Sequence, residues 1–138
     1  MSIVQTQTTS FKKELYTAVH NLSTDTIKIA LYTANVDLNE DTTVYSSTNE
    51  VVATGYTAGG QIMTGVAISS SGSVAYVNWA NVSWSGAITA RCALMYNVTQ
   101  GNKSIAVLDF GSDKTSTTTF TITMPANTST TALIRSSN

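Results

Sequence analysis

The sequence predicts an all-β fold, a jelly-roll-like β-sandwich carrying one short N-terminal helix. Three observations point there. Apolar and polar residues alternate over most of the chain, the period of a strand with one buried face. Turn residues recur roughly every 8–12 positions, the spacing of sandwiches and barrels. Threonine is the commonest residue, 24 of 138, and its β-branch suits a pleated strand better than a helix.

The elements follow in order. Segment 1–9 is polar and Thr-rich, with Ile3 and Val4 its only apolar residues after Met1. It reads as an arm, free or ordered by a neighbour, before a single domain over 10–138. Phe11, Leu15, Ala18, Val19 and Leu22 then recur at helical spacing and predict a helix of about three turns over 11–22. Ser10 is placed to cap its start, and Asn21 to close its end in the left-handed conformation. From Thr26 the period becomes two, with Ile27, Ile29 and Leu31 on one strand face. A polar loop with an acidic cluster occupies 35–49, and a short strand is expected at 50–53. The run Gly-Tyr-Thr-Ala-Gly-Gly at 55–60 reads as a turn or bulged corner. One strand is expected over 62–68, then a turn over 69–73 where Gly72 supplies positive φ. Strands follow at 74–79, at 81–85 with Val82 and Trp84 on one face, and at 88–98. Segment 104–110 is nearly all apolar and predicts a central strand buried on both faces. A turn at 111–114 precedes a strand at 118–124, where Phe120, Ile122 and Met124 alternate with threonines. Pro125 prevents central pairing beyond it, and 132–135 is a last short strand.

Composition excludes several function classes. One domain's length leaves room for one core. Only 11% of residues are charged, against about 25% in an average soluble domain. With a net charge of −1 there is no electrostatic footprint for nucleic acid or an anionic membrane. Such a surface suits a chain packed within an assembly, where isolated charges are costly to desolvate. It is poor for a solitary soluble enzyme. One cysteine, Cys92, makes no intramolecular disulfide, and with one histidine, His20, it does not complete a zinc site. No apolar run approaches the about 18 residues of a membrane span. Segment 1–10 lacks the apolar core of a secretory signal, so synthesis in a cytoplasm is expected.

Few residues suggest chemistry. Asp37, Asn39 and Asp41 stand at alternate positions, a spacing that can ligate calcium, but the glycine and distal glutamate of an EF-hand loop are missing. Solvated Asx-turns are the expected reading. Asp109 and Asp113 could serve as the paired carboxylates of a glycosidase, yet a turn acceptor at Gly111 accounts for Asp109 as well. His20 is expected to interact with the helix C-terminus. The glycines at 55–60 lack the Lys-Ser/Thr of a phosphate loop. Tyr76, Trp79, Trp84 and Tyr96 lie on consecutive strands, either as a sugar-stacking platform or as core and interface aromatics. Asn-x-Ser/Thr occurs at Asn21, Asn81, Asn97, Asn102 and Asn127, where this composition gives about three by chance, and without a signal peptide the matches are not evidence of glycosylation. No catalytic, metal or cofactor-binding residues are expected.

Four segments carry a resemblance. Phe11-Lys-Lys-Glu-Leu-Tyr-Thr-Ala-Val-His20 runs into Thr24-Asp-Thr-Ile-Lys-Ile-Ala-Leu-Tyr-Thr33. Thr54-Gly-Tyr-Thr-Ala-Gly-Gly60 and Ala106-Val-Leu-Asp-Phe-Gly-Ser-Asp-Lys114 follow. Together these resemble small virion proteins of tailed bacteriophages, over a span from about Phe11 to Arg135. The likeness is one of order and texture and transfers no catalytic residue. It implies a structural protein, of the capsid decoration or cement kind, at the outer surface of the virion shell. Its expected partners are the major capsid protein and further copies of itself. A trimer suits the three-fold and quasi-three-fold positions of an icosahedral lattice. Ile3, Val4, Phe11, Trp79 and Trp84 are the expected interaction residues. The alternative implied function is a head-fibre or tail adhesin reading host-surface glycan. A small hydrolase lacks the nucleophile, base and orienting group it needs.

Overall fold

One long hairpin organises the molecule. The computed structural model describes residues 3–137. Its centre is β7 (Thr89–Asn97) paired with β8 (Lys103–Thr115). Outward from the tip at 98–102 the partners nest: Asn97 opposite Lys103, then Thr89 opposite Thr115. The nesting continues through β6 (Val82–Ser85) and β9 (Thr119–Ile122), with Trp84 opposite Phe120, and reaches β5 (Val74–Asn78) and β10 (Ile134–Ser136), with Val77 opposite Ile134. A two-stranded ribbon folded across itself in this way is how a jelly roll is wound. The remaining elements are β1 (Thr6–Gln7), α1 (Thr9–Leu15), β2 (Ile27–Tyr32), β3 (Gln61–Ile62) and β4 (Ala67–Ser71). The sheets are ordered β1-β8-β7-β2-β3, β10-β5-β4 and β6-β9, and every named pairing is antiparallel. The fold is all-β with one short helix, as the sequence predicts.

Burial explains the near-continuous apolar strands. One face of the five-stranded sheet, with Ile29, Leu31, Ala93, Met95 and Leu108, packs against Val77, Trp79, Val82, Trp84, Phe120 and Ile134 of the facing layer. The opposite face, with Ala30, Tyr32, Cys92, Leu94, Tyr96 and Val107, is covered by Val36 and Leu38 from the long loop after β2. A sheet buried on both faces needs apolar residues at consecutive positions.

Several boundaries differ from expectation. The helix is seven residues long, capped by the Thr8 hydroxyl, which accepts from Phe11 N, rather than by Ser10. It ends because Ala18 takes φ 59°, a left-handed turn that carries Val19 N back to Glu14 O. The periodic stripe over-read its length because Leu22 packs into the core from a turn, not from a helix. Asn21 instead accepts from Ser23 through its side chain. The arm is not free. From Ile3 onward it lies on the sheet, with Ile3 bridging Leu38, Thr6 opposite Val107 and Gln7 opposite Ala106. Met1 and Ser2 lie outside the described residues, as does Asn138.

The expected strand over 62–68 is two strands, β3 and β4, separated at Gly65 with φ 67°. The segment at 69–71 is strand, and only Gly72 and Ser73 turn. At 50–53 there is one isolated bridge, Tyr32 to Glu50, in place of a strand. The expected turn at 111–114 is a bulge inside β8. Ala90 and Cys92 are two apart, but their partners Lys114 and Asp109 are five apart, and Gly111 takes φ 84° in the extra length.

Candidate functional site

The five expected interaction residues do not form one surface. Phe11, Trp79 and Trp84 are buried in the same core, where Trp84 faces Tyr56 and Phe120 at ring-centroid distances of 6.1 and 6.2 Å. Ile3 is half-buried against the opposite core, and Val4 beside it is exposed. Strand periodicity gave the aromatics one face each but not which face meets solvent. Trp79, Trp84 and Tyr96 are all buried and Tyr76 is half-buried, so the four do not form an open stacking platform.

The polar candidates have structural partners. Asn39 Oδ1 accepts from Asp41 N at 2.9 Å, an Asx-turn. Among the described residues no three His, Cys, Asp or Glu side chains gather to hold a metal ion. Asp109 accepts from Gly111 N at 2.8 Å and pairs with Arg91. The Gly111 hydrogen bond, with help from Arg91, holds its carboxyl below the ordinary range against the effect of burial. It therefore has no proton to give a leaving group near neutral pH. His20 lies beyond the helix rather than on it. Its Nε2 meets Glu14 Oε1 at 2.8 Å, and its Nδ1 meets Asn97 Nδ2 at 3.0 Å. Asn97 also donates to Asp25 and accepts from Gln100 N, which fixes its amide. His20 Nδ1 is thus the acceptor and Nε2 carries the hydrogen. Burial would raise the Asp25 carboxyl, but hydrogen bonds from Asn97, Asn21 N and Gln100 outweigh it and leave it lowered. This network ties the turn after α1 to the end of β7. Cys92 is fully buried, and burial pushes its thiol up to about 12.

Two features were missed in the sequence. The first is a buried carboxylate, Glu50, at the end of the loop that covers the outer sheet face. Tyr45 Oη donates to Oε1 at 2.6 Å, while Tyr56 Oη and Gly59 N, the latter at 2.7 Å, donate to Oε2. Tyr96 Oη donates to Gly59 O at 2.5 Å and stacks on Tyr45 at 4.6 Å. Tyr32 Oη donates to Ser46 O at 2.6 Å. Burial, then the Glu50 charge, raises the Tyr32 and Tyr96 phenols, the latter to about 12. Tyr45 and Tyr56 are raised by burial and by their hydrogen bonds to Glu50. No short-range motif marks a hub whose members are spread from 32 to 96.

The second feature is legible in the sequence once sought. The stretch 51–90 contains no Asp, Glu, Lys, Arg or His. It builds β3, β4, β5 and β6, so four strands spread over three sheets carry no charge of their own. Within it β4 is an edge strand, paired to β5 on one side only. Ile68 stands opposite Val77, which stands opposite Ile134. The three share one sheet face, yet Val77 and Ile134 are in the core and Ile68 is 56% exposed. The edge overhangs a cleft of about 380 Å³, whose walls include Leu15, Ala18, Leu22 and Tyr76. This edge sets an apolar cleft beside an unpaired backbone.

No family model, curated protein or solved structure matches the chain.

Proposed function

We propose that the chain is a structural virion protein of the capsid decoration or cement kind, binding the outer face of a major capsid shell. The observation that carries this reading is the uncharged stretch 51–90, which builds four strands. Charges keep an isolated protein apart from its neighbours, whereas a charge-free, hydroxyl-rich stretch packs against other protein with little desolvation cost. A protein that binds assembled shell and not its free subunits stabilises assembly by mass action. Several copies held together engage neighbouring shell subunits at once and gain avidity without new contacts.

The segment 3–8 is engaged in its own sheet, so shell contact falls to other surface. The loop after β2 and the edge at β3 carry the exposed apolar residues Val44, Val52 and Ile62. The test is co-sedimentation of the full chain with empty shells of the encoding phage and, separately, with host cells. Saturable binding to shells, together with a higher bursting temperature of the decorated particle, supports the reading. Binding to cells without binding to shells overturns it in favour of an adhesin.

A further inference from the structure

The free edge of β4 points to a self-pairing site, and we infer that two copies of this chain join there as an antiparallel, two-fold dimer. The argument is independent of the capsid reading. Sheet edges are normally protected from pairing by shortness, charge, proline or a bulge. The edge strands β1 and β3 have two residues each, β10 has three and β6 and β9 have four each, whereas β4, with five, is the longest. Its sequence, Ala-Ile-Ser-Ser-Ser, carries no charge and no proline. It also pairs with β5 without a register shift. None of the usual protections is present.

The backbone direction follows from the turn. Ser71 and Val74 flank the two-residue connection Gly72-Ser73, and Gly72 has φ 59°, as the first central residue of a type II′ hairpin requires. The residues flanking such a turn form a hydrogen-bonded pair, and the pattern alternates along the strand. Ser69 and Ala67 therefore bond to β5. Ile68 and Ser70 turn their N–H and C=O groups to the open edge.

A second copy fits this edge better than a foreign strand does. Two-fold pairing about Ser69 sets Ile68 opposite Ser70 of the other copy, and each such pair exchanges both backbone hydrogen bonds. The two Ile68 side chains then lie on the same face as diagonal neighbours, roughly 7–8 Å apart, each at the margin of its own cleft. Serine opposite isoleucine creates no steric conflict. Neither β4 nor β5 carries a charge, so meeting its own copy brings no like charges together along the edge. A charged partner strand would find no counter-charge in β4. The pairing joins β10-β5-β4 of each copy into one six-stranded sheet, in place of the trimer expected from lattice symmetry.

The test uses the full chain and three substitutions, read by light scattering and by cross-linking. The native protein is expected at twice 14.6 kDa. Ser70→Pro removes a donor that faces only the open edge, so the fold is retained and the dimer weakens on the order of tenfold or more. Ile68→Lys places a like charge on each side of the axis and gives monomer. In Ser69→Cys the two Cα atoms face each other as a non-hydrogen-bonded pair at about 4.5 Å, within disulfide range. Mild oxidation should link it into dimers, while the buried Cys92 of the native chain does not react. A monomeric or trimeric native mass, no cross-link at Ser69→Cys, or a dimer unaffected by Ser70→Pro overturns the inference. Shell binding by a monomeric native chain would overturn the pairing and leave the capsid reading standing.

Discussion

Replacing Glu50 separates the geometry of the loop hub from its charge. Glu50 is buried and accepts from two phenols and one amide. In Glu50→Ala, Tyr56 Oη and Gly59 N lose their acceptor inside the protein, while half-buried Tyr45 can turn to water. Each stranded buried donor costs about 1–3 kcal/mol, so the substitution should cost about 3–5 kcal/mol, including the small cavity left behind. Glu50→Gln keeps the shape. Its carbonyl oxygen replaces Oε2 for Tyr56 and Gly59, and its amide faces Tyr45, whose phenol oxygen accepts as well as donates. The loss is the strengthening that charge gives two hydrogen bonds, offset by not burying a charge, for a net cost of about 1 kcal/mol. Urea unfolding measures both, with unchanged m-values as the sign that the native and unfolded states remain comparable. Equal costs for Gln and Ala would refute the argument from geometry. An Ala cost below about 1 kcal/mol would refute the hub itself.

Three further outcomes are expected. Burial and Glu50 raise Tyr32 and Tyr56 above their ordinary value, so the unfolded chain loses these protons first. Their stabilisation is complete below about pH 10 and falls above it by up to about 1.4 kcal/mol per pH unit for each phenol, as thermal melts across alkaline pH would reveal. Gly60 and Gly72 both have positive φ, but a Cβ at Gly60 would meet Ile29 O at 1.8 Å and one at Gly72 meets nothing within 4 Å. Gly72→Ala should therefore cost about 1 kcal/mol of backbone strain, and Gly60→Ala several times more, in the same urea assay. Deleting 1–9 removes the fully buried Thr8 that caps α1 and the pairing of β1 with β8. It should lower the melting temperature clearly, and an unchanged melt would show that the segment contributes nothing to the fold.

What was legible in the sequence is what local period encodes. Val82 and Trp84 share the buried face of β6, and the apolar runs of β2 and β8 mark a sheet covered on both sides. The errors came where a local pattern served a tertiary purpose. Leu22 continues a helical stripe but arrives in the core after a left-handed turn at Ala18. Glycine at 111 signalled a turn and formed a bulge, because β7 remains available as a partner on both sides of it. The arm is polar because it is an edge strand with one exposed side, a composition shared with disorder. At the site, Trp79 and Trp84 drew attention for their size and are core, whereas the informative residues were the uncharged ones at 67–71, an exposed Ile68 among small neighbours. Glu50 was invisible because its partners Tyr45, Tyr56 and Gly59, though near in sequence, follow no strand or helix period.

The nesting of the long hairpin also sets an order of events for the newly made chain. Closing the five-residue tip at 98–102 fixes few residues, and each outward pairing then closes a loop already shortened by the one inside it. Closure entropy rises slowly with length, but the first contact must form unaided, so β7 and β8 form the natural nucleus. β6 with β9 and β5 with β10 zip on afterwards. Amide exchange should accordingly be slowest at the centre of β7 and fastest at β10. β5, the strand next to the open edge, gains its second partner among the last, once β10 has been made. Until β10 pairs, β5 is itself an edge, so the folding chain presents the five uncharged residues Val74–Asn78 where the folded protein presents the three-residue edge of β10.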